Sequence, residues 1–539
     1  MSPFLFIILT EKSEKCNKKF GNRKMKICVA IWQRKNEKRV CVATGNTENQ
    51  LHGNTFLQKN VAKWQAEISK SGCQIFGLHF PVSYGMMKKK MGVFSMGTDF
   101  TAYADGKTLC TEFLQAAIDA TPEGGHLTIP EGRYLTGSLY LHSNMTFELA
   151  KGATILGVQD DAAYPPLPSR VAGIELDYWP GGLINAQNCE NLTICGEGTV
   201  DGQGEYWWYK FWGPPEENHQ GGMIREYPGN LRWAVDYDCF RPQLLLLGNC
   251  KNLTIKDIHC ERSGFWTVHV YYSENVLIDD IKIEKNLGPS TDGIDIDSCK
   301  HVVVRNCSLS CHDDGIVLKS GRDADGLRVN RPCEDVEIYN CHLSAPSEGI
   351  TLGSDMSGGI RNVYIHDCTF DGARNGFRIK SARTRGGVME DILVKNLTMR
   401  NVRFAFSFQL NWFPEFSYCS IPEDYTGEIP EHWHILSQYV PPEIGLPTLR
   451  NVTIENVKAV VDEEYEQAIL HFLPPGHITD TTRYTAEPPI LFEIGTDPAR
   501  PIENMTFRNV ELDSRCLGQI TSVKNLVFDN VKISVCNKE

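Results

Sequence analysis

The chain has 539 residues, 54 Lys and Arg against 67 Asp and Glu, a formal net charge of −13 and 41% hydrophobic residues. An acidic chain gives no surplus positive charge for phosphate, so nucleic acid is not an expected partner. No apolar run is long enough to span a bilayer, and no membrane role is expected.

The charge is unevenly spread. Residues 1–95 hold 17 Lys and Arg and 5 Asp and Glu, whereas the rest of the chain is strongly acidic. This basic head shows no repeated period. It reads as an N-terminal extension, poorly ordered or a small partner-binding module, and no chemistry is assigned to it. Pro3–Leu9 is apolar, but no positive residue precedes it and no small-x-small cleavage site follows, so the chain is expected to be cytoplasmic, with secretion as the alternative. The 19 cysteines form no short regular framework and suit either disulfides outside the cell or free thiols inside it.

Residues 96–539 read as one domain. Phe113–Ile118 has helical spacing, with Gln115 and Asp119 on the polar side. The stretch Gly124–Gly157 then alternates apolar and polar residues between Gly and Pro, which predicts short strands. Next comes a repeat. KNLTIKDI, ENVLIDDI, KHVVVRNC, EDVEIYNC, RNVYIHDC, EDILVKNL, RNVTIENV, ENMTFRNV and KNLVFDNV begin at 251, 274, 300, 334, 361, 390, 450, 503 and 524. The seventh residue is always Asp or Asn, which suits a tight turn with left-handed backbone, and the eighth is always apolar and should point inward. Spacings of 23 to 34 residues in the middle fit one turn of a parallel β-helix plus variable loops.

The register bears on two tempting sites. Cys307, Cys341 and Cys368 fall where other rungs place Ile, Leu or Val, so they read as small core hydrophobes rather than metal ligands. Most of the sequons at Asn144, Asn191, Asn252, Asn306, Asn396, Asn451 and Asn504 fall within the repeat, and the set reads as solenoid pattern rather than glycan sites. Two segments break the period with aromatics, Gly202–Gly213 and Asn411–Gly445, and read either as cleft walls or as caps on the solenoid.

Within Ser290–Gly321 lie Asp292, Asp295, Asp297, Asp313 and Asp314. Asp292 precedes Asp313 and Asp314 by 21 and 22 residues, so a coil of that circumference returns them to neighbouring rungs about 4.8 Å apart. Carboxylates that close cannot all ionise freely, and one acid beside ionised partners is the kit for cleaving a glycosidic bond. Because adjacent strand residues face opposite ways, Asp313 and Asp314 can share a cleft only if the backbone bends, for which Gly315 is the candidate.

Five motifs in order resemble glycoside hydrolase family 28, the polygalacturonase family: GEGTVDGQGEYWW (196–208), STDGID (290–295), HDDGIVLKSG (312–321), SEGITLGSDMSGG (347–359) and RIK (378–380). The resemblance covers roughly residues 97–539. It implies an all-β, right-handed parallel β-helix with long loops forming a cleft. It also implies an inverting hydrolase, with Asp313 as general acid and Asp292 and Asp314 activating water; no nucleotide loop or metal-ligand spacing appears in the sequence, so no metal and no cofactor are expected. Arg378 and Lys380 would hold the uronate carboxylate, with Lys319 and His269 as weaker candidates for substrate contact. Glu348 stands where the family's endo-acting members have His, which turns the expectation toward exo action on a galacturonate-containing pectic oligosaccharide. The alternatives are a rhamnogalacturonan hydrolase of the same family, a calcium-dependent pectate lyase, and a non-catalytic sugar-binding solenoid.

Overall fold

The computed structural model describes residues 5–10, 26–31, 99–215, 221–227, 229–466 and 488–535. Of the basic head only two strands are described, Leu5–Thr10 and Lys26–Ile31, paired antiparallel; the rest of the expectation for residues 1–95 lies outside the described residues.

The remainder is an all-β, right-handed parallel β-helix. Each central rung contributes one strand to an 11-stranded sheet and two to a 23-stranded sheet that wraps the other sides. The 11-stranded sheet is built from β1 (Leu139–Tyr140), β2 (Ile184–Gln187), β3 (Leu245–Gly248), β4 (Val268–Tyr271), β5 (Ile294–Asp297), β6 (Ile316–Lys319), β7 (Ile350–Leu352), β8 (Asn375–Lys380), β9 (Phe404–Gln409), β10 (Ile490–Gly495) and β11 (Cys516–Ile520).

The turn residues make the rungs. All nine seventh-position Asp and Asn residues of the repeat have positive φ, from 52° to 64°. So do all nine second-position residues, from Asn252 to Asn525, a regularity the sequence reading missed. Asn and Asp tolerate this conformation because their short side chains bond locally. They also bond between rungs: Asn191 Nδ2 donates to Asn144 Oδ1, Asn252 to Asn191, and Asn275 to Asn252. The sequon asparagines therefore use their amides as rung-to-rung donors. The eighth-position residues from Ile258 to Val510 are buried, Cys307, Cys341 and Cys368 among them, and Val531 on the last rung is half-buried. Among the described residues no cysteine is disulfide-bonded. The predicted helix spans Thr111–Ala120 and covers the first rungs, with Leu114 and Ile118 fully buried.

The first aromatic segment folds as a helix, Glu205–Trp212, with Trp207, Trp208 and Phe211 buried. Trp433 of the second segment joins Trp179, Trp233, Phe265 and Trp266 in a cluster separate from the solenoid core. These rings act mainly as packing. A hairpin, Pro166–Val171 with Ile174–Pro180, lies over the 11-stranded sheet, held by a fully buried pair of Arg170 with Asp297 at 2.7 Å.

Candidate active site

The site follows from rung register. Ile294, Ile316, Ile350 and Phe377 are partners on β5 to β8 and face the interior. Counting two residues back from the first three reaches Asp292, Asp314 and Glu348, one above another on successive rungs. One residue forward gives Asp295, Val317, Thr351 and Arg378, and three forward gives Asp297, Lys319 and, on β8, Lys380. Period two turns the residues one and three forward to the outer face, whereas Asp292, Asp314 and Glu348 lie just before their strands, outside that alternation. Asp313 comes in from the side: His312–Asp313 is a bend between strands, which solves the facing problem. Gly315 matters for space rather than for a special dihedral, since a Cβ there would stand 2.5 Å from Leu343 Cδ2 and Ser347 Oγ.

Asp292, Asp313 and Asp314 each place a carboxylate oxygen within 4.8 Å of the others. Their environments separate them. Asp314 is fully buried and accepts from Thr351 Oγ1 and Lys380 Nζ, both at 2.6 Å, with Arg378 Nη1 at 3.7 Å. Burial alone would raise its pKa, but Lys380, Arg378 and Lys319 pull it down to about 2. Asp313 is half-buried, and loss of water plus the neighbouring Asp314 charge pushes it up to about 6. Asp292 is raised well above the ordinary range by burial and by Asp295 and Asp313. Asp295 is raised likewise, chiefly by burial. Lys319 Nζ lies 3.5 Å from an oxygen of both Asp292 and Asp295 and 4.4 Å above the Trp266 ring. Burial opposes its charge, yet those carboxylates keep its pKa raised.

Glu348 accepts from Arg374 Nη1 at 2.7 Å and Arg378 Nη1 at 2.8 Å. Burial opposes its charge as well, but the two guanidinium groups hold its pKa below the usual value. Trp412 lies against Lys380 Nζ at 4.7 Å and Arg378 at 5.5 Å. The structure thus gathers Asp292, Asp313, Asp314, Lys319, Glu348, Arg378 and Lys380 on neighbouring rungs of one face. His269 does not reach the open surface: it is fully buried beneath Trp266, bonded through Nδ1 to Gln243 Oε1 at 3.0 Å, and burial keeps it neutral. Sequence reasoning missed Thr351 and Arg374, gave Asp295 no role, and reached Trp412 only as part of the aromatic segment Asn411–Gly445 read as cleft wall or cap. Rung counting finds Thr351 and Asp295, whereas Trp412 has no such signal because it comes from a loop.

Asp314 and Glu348 are held toward their charged forms beside Lys319, Arg374, Arg378 and Lys380, while burial pushes Asp292, Asp295 and Asp313 toward their protonated forms. The three aspartates could hold a divalent cation by their geometry. Two ammonium groups already fill that electrostatic role, Lys380 on Asp314 and Lys319 on Asp292.

The face is covered on one side and open on the other. On β3 and β4 the outward Leu246, His269 and Tyr271 are at most 4% exposed, under the hairpin and the Trp179–Trp266 cluster. Past the aspartates exposure returns, with Arg378 and Gln409 half-buried and Gln519 exposed. The outward residues of β5 to β7 are buried as well, and exposure returns at Asp313 and Arg378, so the open part of the face runs from there toward β11.

Oppositely protonated carboxylates beside cations, on the face of a parallel β-helix, have the make-up of a site for acidic sugars. The sequence profile of Glycosyl hydrolases family 28 matches residues 228–419. The chain is 34% identical over 322 residues to a probable polygalacturonase of Vitis vinifera, covering 57% of this chain and 61% of that one. It is 26% identical to an exo-poly-alpha-D-galacturonosidase of Dickeya chrysanthemi, covering 57% and 55%. The structure of a hyperthermoactive exopolygalacturonase from Thermotoga maritima superposes with a TM-score of 0.61 at 27% identity, covering 80% of this chain and 89% of that one. Over residues 228–419 the chain is thus similar to glycoside hydrolase family 28. It spans about three-fifths or less of the length of the two curated relatives.

The cytoplasmic placement expected from the sequence is corrected. Homologous polygalacturonases are secreted, cell-wall or periplasmic enzymes acting on extracellular pectin. The expectation rested on the first residues of the chain, most of which lie outside the described residues. Among the described residues no helix is long and apolar enough to cross a membrane.

Proposed function

We propose that this protein hydrolyses galacturonate-containing pectic chains from one end. The observation that carries the reading is the covered groove: a chain end fits against Trp266 and the hairpin, and the rest of the polymer runs out over β8 to β11. An extended polymer gripped mid-chain would have to pass through packed tryptophans.

In this reading Asp313, holding its proton near pH 5, donates to the departing glycosidic oxygen. Asp314, kept anionic by Lys380 and Arg378, takes the proton from the attacking water. Asp292 orients that water, with Lys319 Nζ 3.5 Å from both Asp292 and Asp295 holding the two carboxyl groups in place. Arg378 and Lys380 receive the uronate carboxylate, exchanging part of their contact with Glu348 and Asp314 for substrate. Glu348 restrains Arg378, and Trp412 offers a flat face beside both cations.

The carboxylate oxygens stand closer, within 4.8 Å, than the roughly 6.5–9.5 Å usual for inverting pairs. The anomer of the first product distinguishes inversion, with Asp314 as base, from retention, with an aspartate as nucleophile.

The test is product analysis on defined saturated and unsaturated oligogalacturonides and rhamnogalacturonan oligomers. Release of one short product from the first minute supports end-wise hydrolysis, whereas mixed oligomers would refute it. Products with the ultraviolet absorbance of an unsaturated uronate would mean lyase chemistry instead.

A further inference from the structure

Beyond the aspartates the open face carries a second cavity, of about 480 Å³, lined by Gln409, Asn411, Glu493, Asp497, Gln519 and Thr521, with Arg383 at its edge. It lies on the same outward lines as the site. Gln409 is the register partner of Lys380, Glu493 of Ser407 beyond Arg378, and Gln519 of Glu493. Counting strands from Asp314 on β6, these residues stand three, four and five rungs away, about 14–24 Å. One sugar of an extended chain is about as long as one rung, so the cavity meets the part of the substrate a few sugars from the bond that breaks.

Its chemistry differs from that of the site. The single guanidinium at its edge, Arg383, is engaged by Asp497. Glu493 accepts a hydrogen bond from Ser407 Oγ at 3.2 Å, and among the described residues no Lys or Arg lies within ion-pair distance of it. The rest of the lining is amide and hydroxyl. Amides and carboxylates accept and donate to vicinal hydroxyls, but a free carboxylate offers nothing to a uronate and repels it.

We propose that this cavity is a distal subsite for an uncharged sugar residue, so that the protein prefers pectic chains in which an uncharged unit lies a few sugars from the cleaved galacturonate. The proposal rests on the end-wise reading above and adds a second recognition element to it. Two sources share that chemistry: a neutral sugar within the backbone, and a galacturonate whose carboxylate is esterified.

The test measures binding to full-length Asp313→Asn protein by calorimetry with three pentasaccharide probes that all keep an ionised galacturonate for Arg378 and Lys380. They are fully ionised oligogalacturonate, the same oligomer methyl-esterified only at the units that reach the cavity, and a rhamnogalacturonan oligomer. Binding of either uncharged-unit probe about two- to fivefold tighter than the ionised one, the scale of one exposed charge contact, is the expected result. Whichever of the two binds tighter identifies the source. Adding Glu493→Gln should strengthen binding of the ionised probe and narrow the gap. Tightest binding of the ionised probe, with no response to Glu493→Gln, overturns the proposal. Digalacturonate is too short to reach the cavity and reports on the first reading separately. Its cleavage by the wild-type protein with no probe preference sinks only the subsite, whereas no cleavage of any galacturonate chain sinks both.

Discussion

Replacing Asp313 by Asn should destroy turnover while making the fold more stable at neutral pH. The carboxyl stands at about 6 in the folded protein against an ordinary 3.8. The unfolded chain ionises at the ordinary value, so between those two pH values the folded state holds the extra proton, and stability falls as pH rises. Below about pH 4 both states are protonated and the cost is absent; above about 6 it is fully present. A difference of about two in pKa corresponds to about 3 kcal/mol, an upper bound because the neighbouring aspartates share the proton. Asn keeps the shape and removes the charge. Urea unfolding at pH 4 and pH 7 should show the variant gaining on wild type by about 1–3 kcal/mol between the two. Initial rates on oligogalacturonate should fall by about 10²–10⁴-fold, the usual worth of a general acid. A variant with near wild-type turnover, or one whose stability relative to wild type does not change with pH, would refute the reasoning.

Three further outcomes follow from the same geometry. The rate profile should be bell-shaped and acidic, declining as pH climbs through about 6, where Asp313 loses its proton, and as it drops toward about 2, where Asp314 gains one; a flat profile up to pH 8 would contradict this. Arg170→Ala should cost about 3–5 kcal/mol of stability, because it leaves Asp297 buried without its partner; a thermal melt matching wild type would remove the hairpin anchor from the account. Proton NMR of the first product should show the anomer opposite to the substrate linkage, and the same anomer would mean retention and a nucleophilic aspartate.

How much was legible depended on range. The Asp and Asn turn residues and the inward apolar positions repeat in the sequence, and each acts within its own rung or on the next, so the coil and the meeting of Asp292 with Asp314 could be counted. Thr351 could have been found by the same count. His269 reads from its strand position as a cleft residue, but Trp266 covers it. Trp412 could not be placed, because a loop brings it over Arg378 and Lys380.

The sequence by itself determined the repeat, the turns and the column of acidic residues, since these rest on local backbone preference and a near-constant circumference. Only the tertiary structure decided how the carboxylates differ. Asp313 and Asp314 are adjacent in the chain yet titrate on opposite sides of the ordinary value, because one meets Lys380 and Thr351 from later rungs and the other does not. It also decided where the groove ends. That depends on Arg170 reaching Asp297 across 127 residues of chain, a contact whose energy comes from burial and charge pairing that no local pattern encodes.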